Sequence, residues 1–185
     1  MEEKLFISAQ QFLEDSVSLA YKVVDSGYKP NFIVALWRGG TFPGCVMQEL
    51  LEYHGIENDH IAIRTSGRNN DQTKKKEIKV YGLHYLVEQL KKEDRLLIVD
   101  DVYDSGLSIK ALIDTLKEKT GKNFPGQVRV ATVFYKPEKN ETDRKPDYFV
   151  HETDRWLVFP HEFIDLSRAE IEKSKGKKIA NMIRE

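Results

Sequence analysis

LLIVDDVYDSGLS, residues 96–108, passes from an apolar run to an acidic pair, then to a small polar turn. Leu96 to Val99 reads as a strand buried on both faces, and Ile109, Leu112, Ile113 and Leu116 then recur at helical spacing. Strand, loop and helix N-terminus follow one another in a single stretch. In an open α/β sheet ligands bind beyond the carboxyl ends of the strands, so the unusual residues stand where a ligand is expected. Backbone N–H groups in a turn entering a helix make an anion site; Ser105 and Ser108 add hydroxyl donors around Leu107, and Gly106 lets the backbone come close. That half suits a phosphate monoester. Asp100, Asp101 and Asp104 suit the opposite kind of group, sugar hydroxyls or a hard cation such as Mg2+. A sugar 5-phosphate with free hydroxyls satisfies both halves.

Outward from this stretch, Ser8 with Gln11 forms a capping box before a helix expected over 8–26, and Gly27 ends it. Asn31 to Trp37 (NFIVALW) reads as a second buried strand, Arg38-Gly39-Gly40 as a tight turn, and 41–54 as a helix. His60 to Ile63 is expected to be a short strand. The polar stretch RTSGRNNDQTKKKEIK after it, without periodicity, is expected to form a mobile lid over 65–77. Val128 to Tyr135 makes one more strand before a polar loop from Lys136 to Pro146, and the lysine-rich C-terminal stretch reads as a solvated helix. Strands alternating with helices imply an α/β fold with a mostly parallel twisted sheet flanked by helices.

The chain of 185 residues is long enough for one substantial core, and a single domain over 1–185 is expected. Lys+Arg 29 against Asp+Glu 30 leaves a net charge of -1, so no global positive field exists to hold nucleic acid or an anionic membrane. Any anion is held by local chemistry. The lone Cys45 excludes a disulfide framework and reads as a small core residue of a helix. The N-terminal MEEKLFISAQQ lacks the basic region and apolar run of a secretory signal, and no apolar run approaches a membrane span. A cytoplasmic protein is expected.

LLIVDDVYDSGLS resembles the PRPP-binding signature of the type I phosphoribosyltransferases. In that family two acidic residues lie beside the ribose, and the Asp-Ser/Thr-Gly-x-Ser/Thr turn holds its 5-phosphate. ALWRGG is similar to the family's pyrophosphate loop, in which a basic residue before paired glycines often follows a non-proline cis peptide. The resemblance implies a cis bond at Trp37-Arg38, with Arg38, Gly39 and Gly40 facing pyrophosphate. It also implies Mg2+ at Asp100 and Asp101.

A third segment, FYKPEKNETDRKPDYFVHETDRWLVFPHE, resembles the base-binding hood of the hypoxanthine, guanine and xanthine members, placing the hood mainly at 136–165. Lys136 matches the lysine that donates to a 6-oxo group, Trp156 the aromatic that stacks on the purine, and Leu157 the residue whose backbone meets the purine edge. Glu162 matches an acidic position near metal and pyrophosphate. Chemistry agrees, because a carbonyl wants a donor and a flat base wants an aromatic face. Asp104 matches the aspartate that contacts purine N7 and manages its proton. The lysines and arginines of 64–79 then balance pyrophosphate charge.

Two departures bear on base preference and closure: Ser66-Gly67 stands where many such enzymes have Ser-Tyr, and Pro160-His161 where Pro-Trp is expected. The implied activity is transfer of phosphoribosyl from PRPP to a 6-oxopurine, by a homo-oligomer (dimer or tetramer). Two alternatives stay open: a PRPP-binding regulator of the same fold, and a transferase for another nucleobase. Near-neutral charge, the absence of a winged-helix segment and the presence of Asp104 weigh against the regulator.

Overall fold

The computed structural model describes residues 3–68 and 77–183. Its chain folds into two compact units, one of residues 16–154 and a smaller one of residues 1–15 with 155–185. The expected hood is divided between them, 136–154 falling in the large unit and 155–165 in the small one.

The large unit is an α/β fold on six strands: β2 (Phe32–Trp37), β3 (Asp59–Arg68), β4 (Glu77–Tyr81), β5 (Arg95–Tyr103), β6 (Gln127–Tyr135) and β7 (Tyr148–Glu152). They lie in the order β4-β3-β2-β5-β6-β7 and are parallel except for the β3–β4 pair. The chain builds to one side of β2 and returns to build on its other side, so the topological switch falls between β2 and β5. Helix α1 (Ala9–Asp25) precedes β2 and ends before Gly27, whose φ of 71° is the left-handed conformation of a helix stop. Helix α2 (Thr41–Tyr53) packs on β2 and β5, with Gly44 seated against Ala35. Helices α3 (His84–Gln89) and α4 (Leu107–Thr120) cover the other face, where Val34, Leu36, Ile63, Ile98, Leu112 and Leu116 share one core. The apolar run LLIV exists because β5 has α2 on one face and the core shared with Leu112 and Leu116 on the other.

Three expectations change. First, β3 does not stop at Ile63 but continues to Arg68, and 77–81 returns antiparallel to it, with Arg64 opposite Tyr81. Alternation hides this pair in the sequence, because Arg64 and Tyr81 face solvent at the edge of the sheet. The rest of the expected lid, 69–76, lies outside the described residues. Second, β5 runs through Asp100 and Asp101 to Tyr103, since its ladder to β6 continues as Asp100↔Thr132 and Val102↔Phe134. Third, Cys45 is exposed, because α2 turns Pro43, Gly44, Met47 and Leu51 inward instead.

In the small unit β1 (Lys4–Phe6) pairs parallel with β8 (Trp156–Val158), and Phe12 packs against Phe159, their ring centroids 5.2 Å apart. The lysine-rich tail is two helices, α5 (Arg168–Lys175) and α6 (Lys177–Met182), broken at Gly176 with φ 93°. It is not wholly solvated: Ile171 and Ala180 are buried. No helix of the described residues is long and apolar enough to cross a membrane.

Candidate functional site

The switch point between β2 and β5 brings two sequence segments together. Past Trp37 the peptide bond to Arg38 is cis, and the backbone turns through Gly39 and Gly40 into α2. The approach is close enough to require both glycines. A Cβ on Gly39 would land on the carboxylate of Asp101, and one on Gly40 would lie 2.8 Å from Asp100 Cα and 2.9 Å from Leu36 N. Arg38 is exposed at the mouth of this loop. The glycine turn and the acidic pair are therefore packed directly against each other.

The second turn sits at the end of β5. Gly106 has φ 75° and starts α4, and a Cβ there would lie 2.6 Å from the Tyr103 hydroxyl. Tyr103 cannot give way: it is 1 % exposed, and its hydroxyl bonds Thr142 Oγ1 and the Arg144 carbonyl, each at 2.9 Å. Gly106→Ala is accordingly expected to cost about 1–3 kcal/mol, measured by urea unfolding, whereas an alanine at Gly27, where no atom lies within 4 Å, would meet only the φ penalty.

Both α2 and α4 thus begin at a glycine with no side-chain cap, on neighbouring strands of the sheet. Helix starts leave N–H groups without intrahelical partners, and the dipole favours an anion there. Two uncapped starts flank one carboxylate pair. A cavity of about 70 Å³ opens at the second, lined by Asp100, Tyr103, Asp104, Ser105, Gly106 and Ser108. Leu107 donates its N–H to Ser105 Oγ at 3.4 Å.

Asp100 and Asp101 are more enclosed than an open crevice would leave them: Asp101 is 7 % exposed and Asp100 is half-buried. The cause is the continuation of β5 beneath the glycine turn. Burial, and then the charge of Asp101, push the Asp100 carboxyl well above its ordinary value of 3.8. A group that binds its proton more tightly when folded stabilises the fold fully below that ordinary value, and the contribution is lost as pH rises through its raised value. Asp100→Asn should remove this decline. The ligand-free variant is expected to gain Tm over the native protein as pH rises above the acid range and to match it near pH 3; a constant difference at every pH would refute the linkage. The same pair suits a hard divalent cation, whose charge would relieve the repulsion, and a cation such as Mg2+ commonly takes one or two carboxylates and completes its shell with water and phosphate oxygens. Among the described residues no group of three or more His, Cys, Asp or Glu gathers to hold a metal.

Lys136 follows β6 and is 6 % exposed, its N–H donating to the Tyr103 carbonyl at 2.9 Å. Its ammonium lies 3.3 Å from Asp104 Oδ2. This pairing could not be read from the sequence, where the two residues stand 32 apart. Nor could the part played by Tyr103, which anchors the 140–144 loop, or the bond from Glu141 N–H to the Ser105 carbonyl at 3.0 Å. The only signal was an aromatic inside an otherwise small and acidic turn.

The remaining expected residues belong to the small unit. Trp156 is 49 % exposed on β8, and Leu157 beside it is buried and paired with Leu5. Glu162 accepts from the Phe159 N–H at 3.0 Å, so its carboxylate closes its own turn. Lys175 donates to the Phe159 and Pro160 carbonyls at 2.9 and 3.2 Å in the same turn.

Known proteins share this fold. The model of the phosphoribosyl transferase domain family matches residues 7–168. A purine phosphoribosyltransferase from Pyrococcus horikoshii Ot3 is similar in structure at TM-score 0.68 and 27 % identity, over 90 % of this chain and 98 % of its own. A hypothetical protein from Neisseria gonorrhoeae with bound ppGpp aligns over 100 % of this chain and 99 % of its own, at TM-score 0.71 and 22 % identity. A xanthine-guanine-hypoxanthine phosphoribosyltransferase from Helicobacter pylori aligns over 95 % and 99 %, at 0.65 and 22 %.

Proposed function

The chain belongs to the phosphoribosyl transferase family, and from that premise we propose that it moves the 5-phosphoribosyl group of PRPP to N9 of a 6-oxopurine, releasing pyrophosphate. The observation that carries this reading is the pair of uncapped glycine helix starts on either side of Asp100 and Asp101. PRPP carries a phosphate at one end of a ribose and a pyrophosphate at the other. In this reading Ser105, Gly106, Leu107 and Ser108 take the 5-phosphate, Arg38, Gly39 and Gly40 take the pyrophosphate, and the two carboxylates receive the ribose hydroxyls between them. Mg2+ held at Asp100 and Asp101 would screen the charge of the departing pyrophosphate.

The base is read from the Lys136–Asp104 pair. N7 and O6 are neighbouring acceptors on one edge of an oxopurine, whereas adenine offers N7 beside a 6-amino donor. An ammonium at Lys136 next to a carboxyl at Asp104 supplies a donor for O6 and a group that can hold the N7 proton. The stacking role of Trp156 and the backbone role of Leu157 rest on the resemblance of the 136–165 segment; Trp156 is half-exposed, as a stacking face requires. Charge stabilisation and positioning carry most of such a transfer, with the buried framework around Tyr103 fixing the turn. Salvage of free purines in the cytoplasm is the setting that this activity implies.

The test is nucleotide formation from PRPP and Mg2+ with hypoxanthine, guanine, xanthine and adenine in turn. Formation of the 5′-nucleotide and pyrophosphate from an oxopurine is expected. PRPP binding without turnover on any base would instead favour a regulatory protein of this fold.

A further inference from the structure

The turn over 105–108 is held from behind by a loop to which the proposed reaction assigns no part. Glu141 donates its N–H to the Ser105 carbonyl at 3.0 Å. The Ser105 carbonyl and the Gly106 N–H belong to one planar trans peptide and therefore point in opposite directions. With the carbonyl drawn toward residue 141, the Gly106 N–H is turned the other way, and both residues line the cavity of about 70 Å³ at the start of α4. The direction of this peptide decides what the cavity offers an anion. A flip would exchange a donor for a carbonyl oxygen, and glycine at 106, with φ 75°, is the residue type that permits either setting.

The loop has a firm anchor at its other end. The Arg144 guanidinium donates to the Val128 carbonyl at 2.7 Å and to the Asp147 carboxylate at 2.9 Å, which fixes it to the start of β6 and the approach to β7. Between anchor and turn stands the Tyr103 hydroxyl. It donates to the Arg144 carbonyl at 2.9 Å and meets Thr142 Oγ1, also at 2.9 Å. Tyr103 is 1 % exposed and its ring lies beneath Gly106, so the hydroxyl itself reaches no ligand. Burial pushes its pKa above the ordinary tyrosine value, which keeps the proton in place as a donor. We propose that Tyr103 is a positioning residue: its hydroxyl ties down the 140–144 loop, whose Glu141 N–H in turn holds the Ser105–Gly106 peptide with its own N–H toward a bound phosphate. This rests on the reading of 105–108 as the 5-phosphate turn.

Tyr103→Phe tests the tie, because phenylalanine keeps the ring beneath Gly106 and removes only the hydroxyl. Calorimetric titration with ribose 5-phosphate is expected to show about 5- to 20-fold weaker binding than to the native protein, the effect of one misdirected hydrogen bond. Inorganic pyrophosphate with Mg2+, taken in the same reading by Arg38, Gly39 and Gly40, is expected to bind as before, whereas a general loosening of the fold would weaken both ligands. Amide exchange at Glu141 should quicken in the variant, since its N–H loses the loop that holds it on Ser105. Native affinity for ribose 5-phosphate in Tyr103→Phe would overturn the proposal. So would a loss shared by pyrophosphate, or a selective loss with Glu141 exchange unchanged, because the hydroxyl would then act by another route. A native protein that does not bind ribose 5-phosphate would overturn the reading of the turn itself, and the proposal with it.

Discussion

Replacing Asp100 and Asp101 together by asparagine is expected to lower turnover by at least about 100-fold while leaving the protein folded. The fold does not depend on these charges: Asp100 is pushed toward its neutral form by burial and by Asp101, so removing both ionisable groups relieves a repulsion. The space is conserved as well, because asparagine matches aspartate in size beneath Gly39, where no larger group fits. What is lost is two carboxyl acceptors for ribose hydroxyls and a seat for a cation. Far-ultraviolet circular dichroism and Tm should therefore stay at or above native values. Unchanged kcat/KM for PRPP in the folded double variant would remove the acidic pair from the site.

Lys136→Met is expected to lower kcat/KM for the base by about 10- to 100-fold, the worth of one charge-assisted hydrogen bond of about 1.5–3 kcal/mol. Methionine keeps much of the stem's volume in a position that is 6 % exposed, and the backbone bond from residue 136 to the Tyr103 carbonyl is untouched. KM for PRPP should change far less, since the ribose and 5-phosphate contacts come from residues 100–108. Selectivity should fall along with rate. In the native protein the 6-amino group of adenine would meet the ammonium donor for donor, and the variant removes that conflict. Native-like hypoxanthine kinetics in Lys136→Met would place the lysine outside the base site.

Much of this was legible in residues 96–108 because their types change at the points where the structure changes. LLIV is buried, and Gly106 takes the left-handed turn that starts α4. The cis bond at Trp37-Arg38 was also expected, from the resemblance of ALWRGG rather than from any periodicity. What stayed hidden has physical causes. The β5 ladder extends through Asp100 to Tyr103 because backbone pairing with β6 is indifferent to side-chain charge, whereas a reading by residue type ends the strand at Val99. β1 and β8 are three residues each and pair across most of the chain, too short for a period and too distant for a local signal. Lys136 and Asp104 meet only because β5 and β6 are neighbours and both turn out at the same end of the sheet. Glu162 likewise carries a bond that no sequence pattern shows, accepting from the Phe159 N–H within its own turn.

The most direct test of the central claim is the ratio of kcat/KM for hypoxanthine to that for adenine, measured on the native protein with PRPP and Mg2+. A donor at Lys136 beside Asp104 predicts a ratio of at least about 100, because a buried donor facing a donor forfeits the bond and its desolvation as well. Equal use of the two bases, or nucleotide formed from adenine alone, would contradict the account.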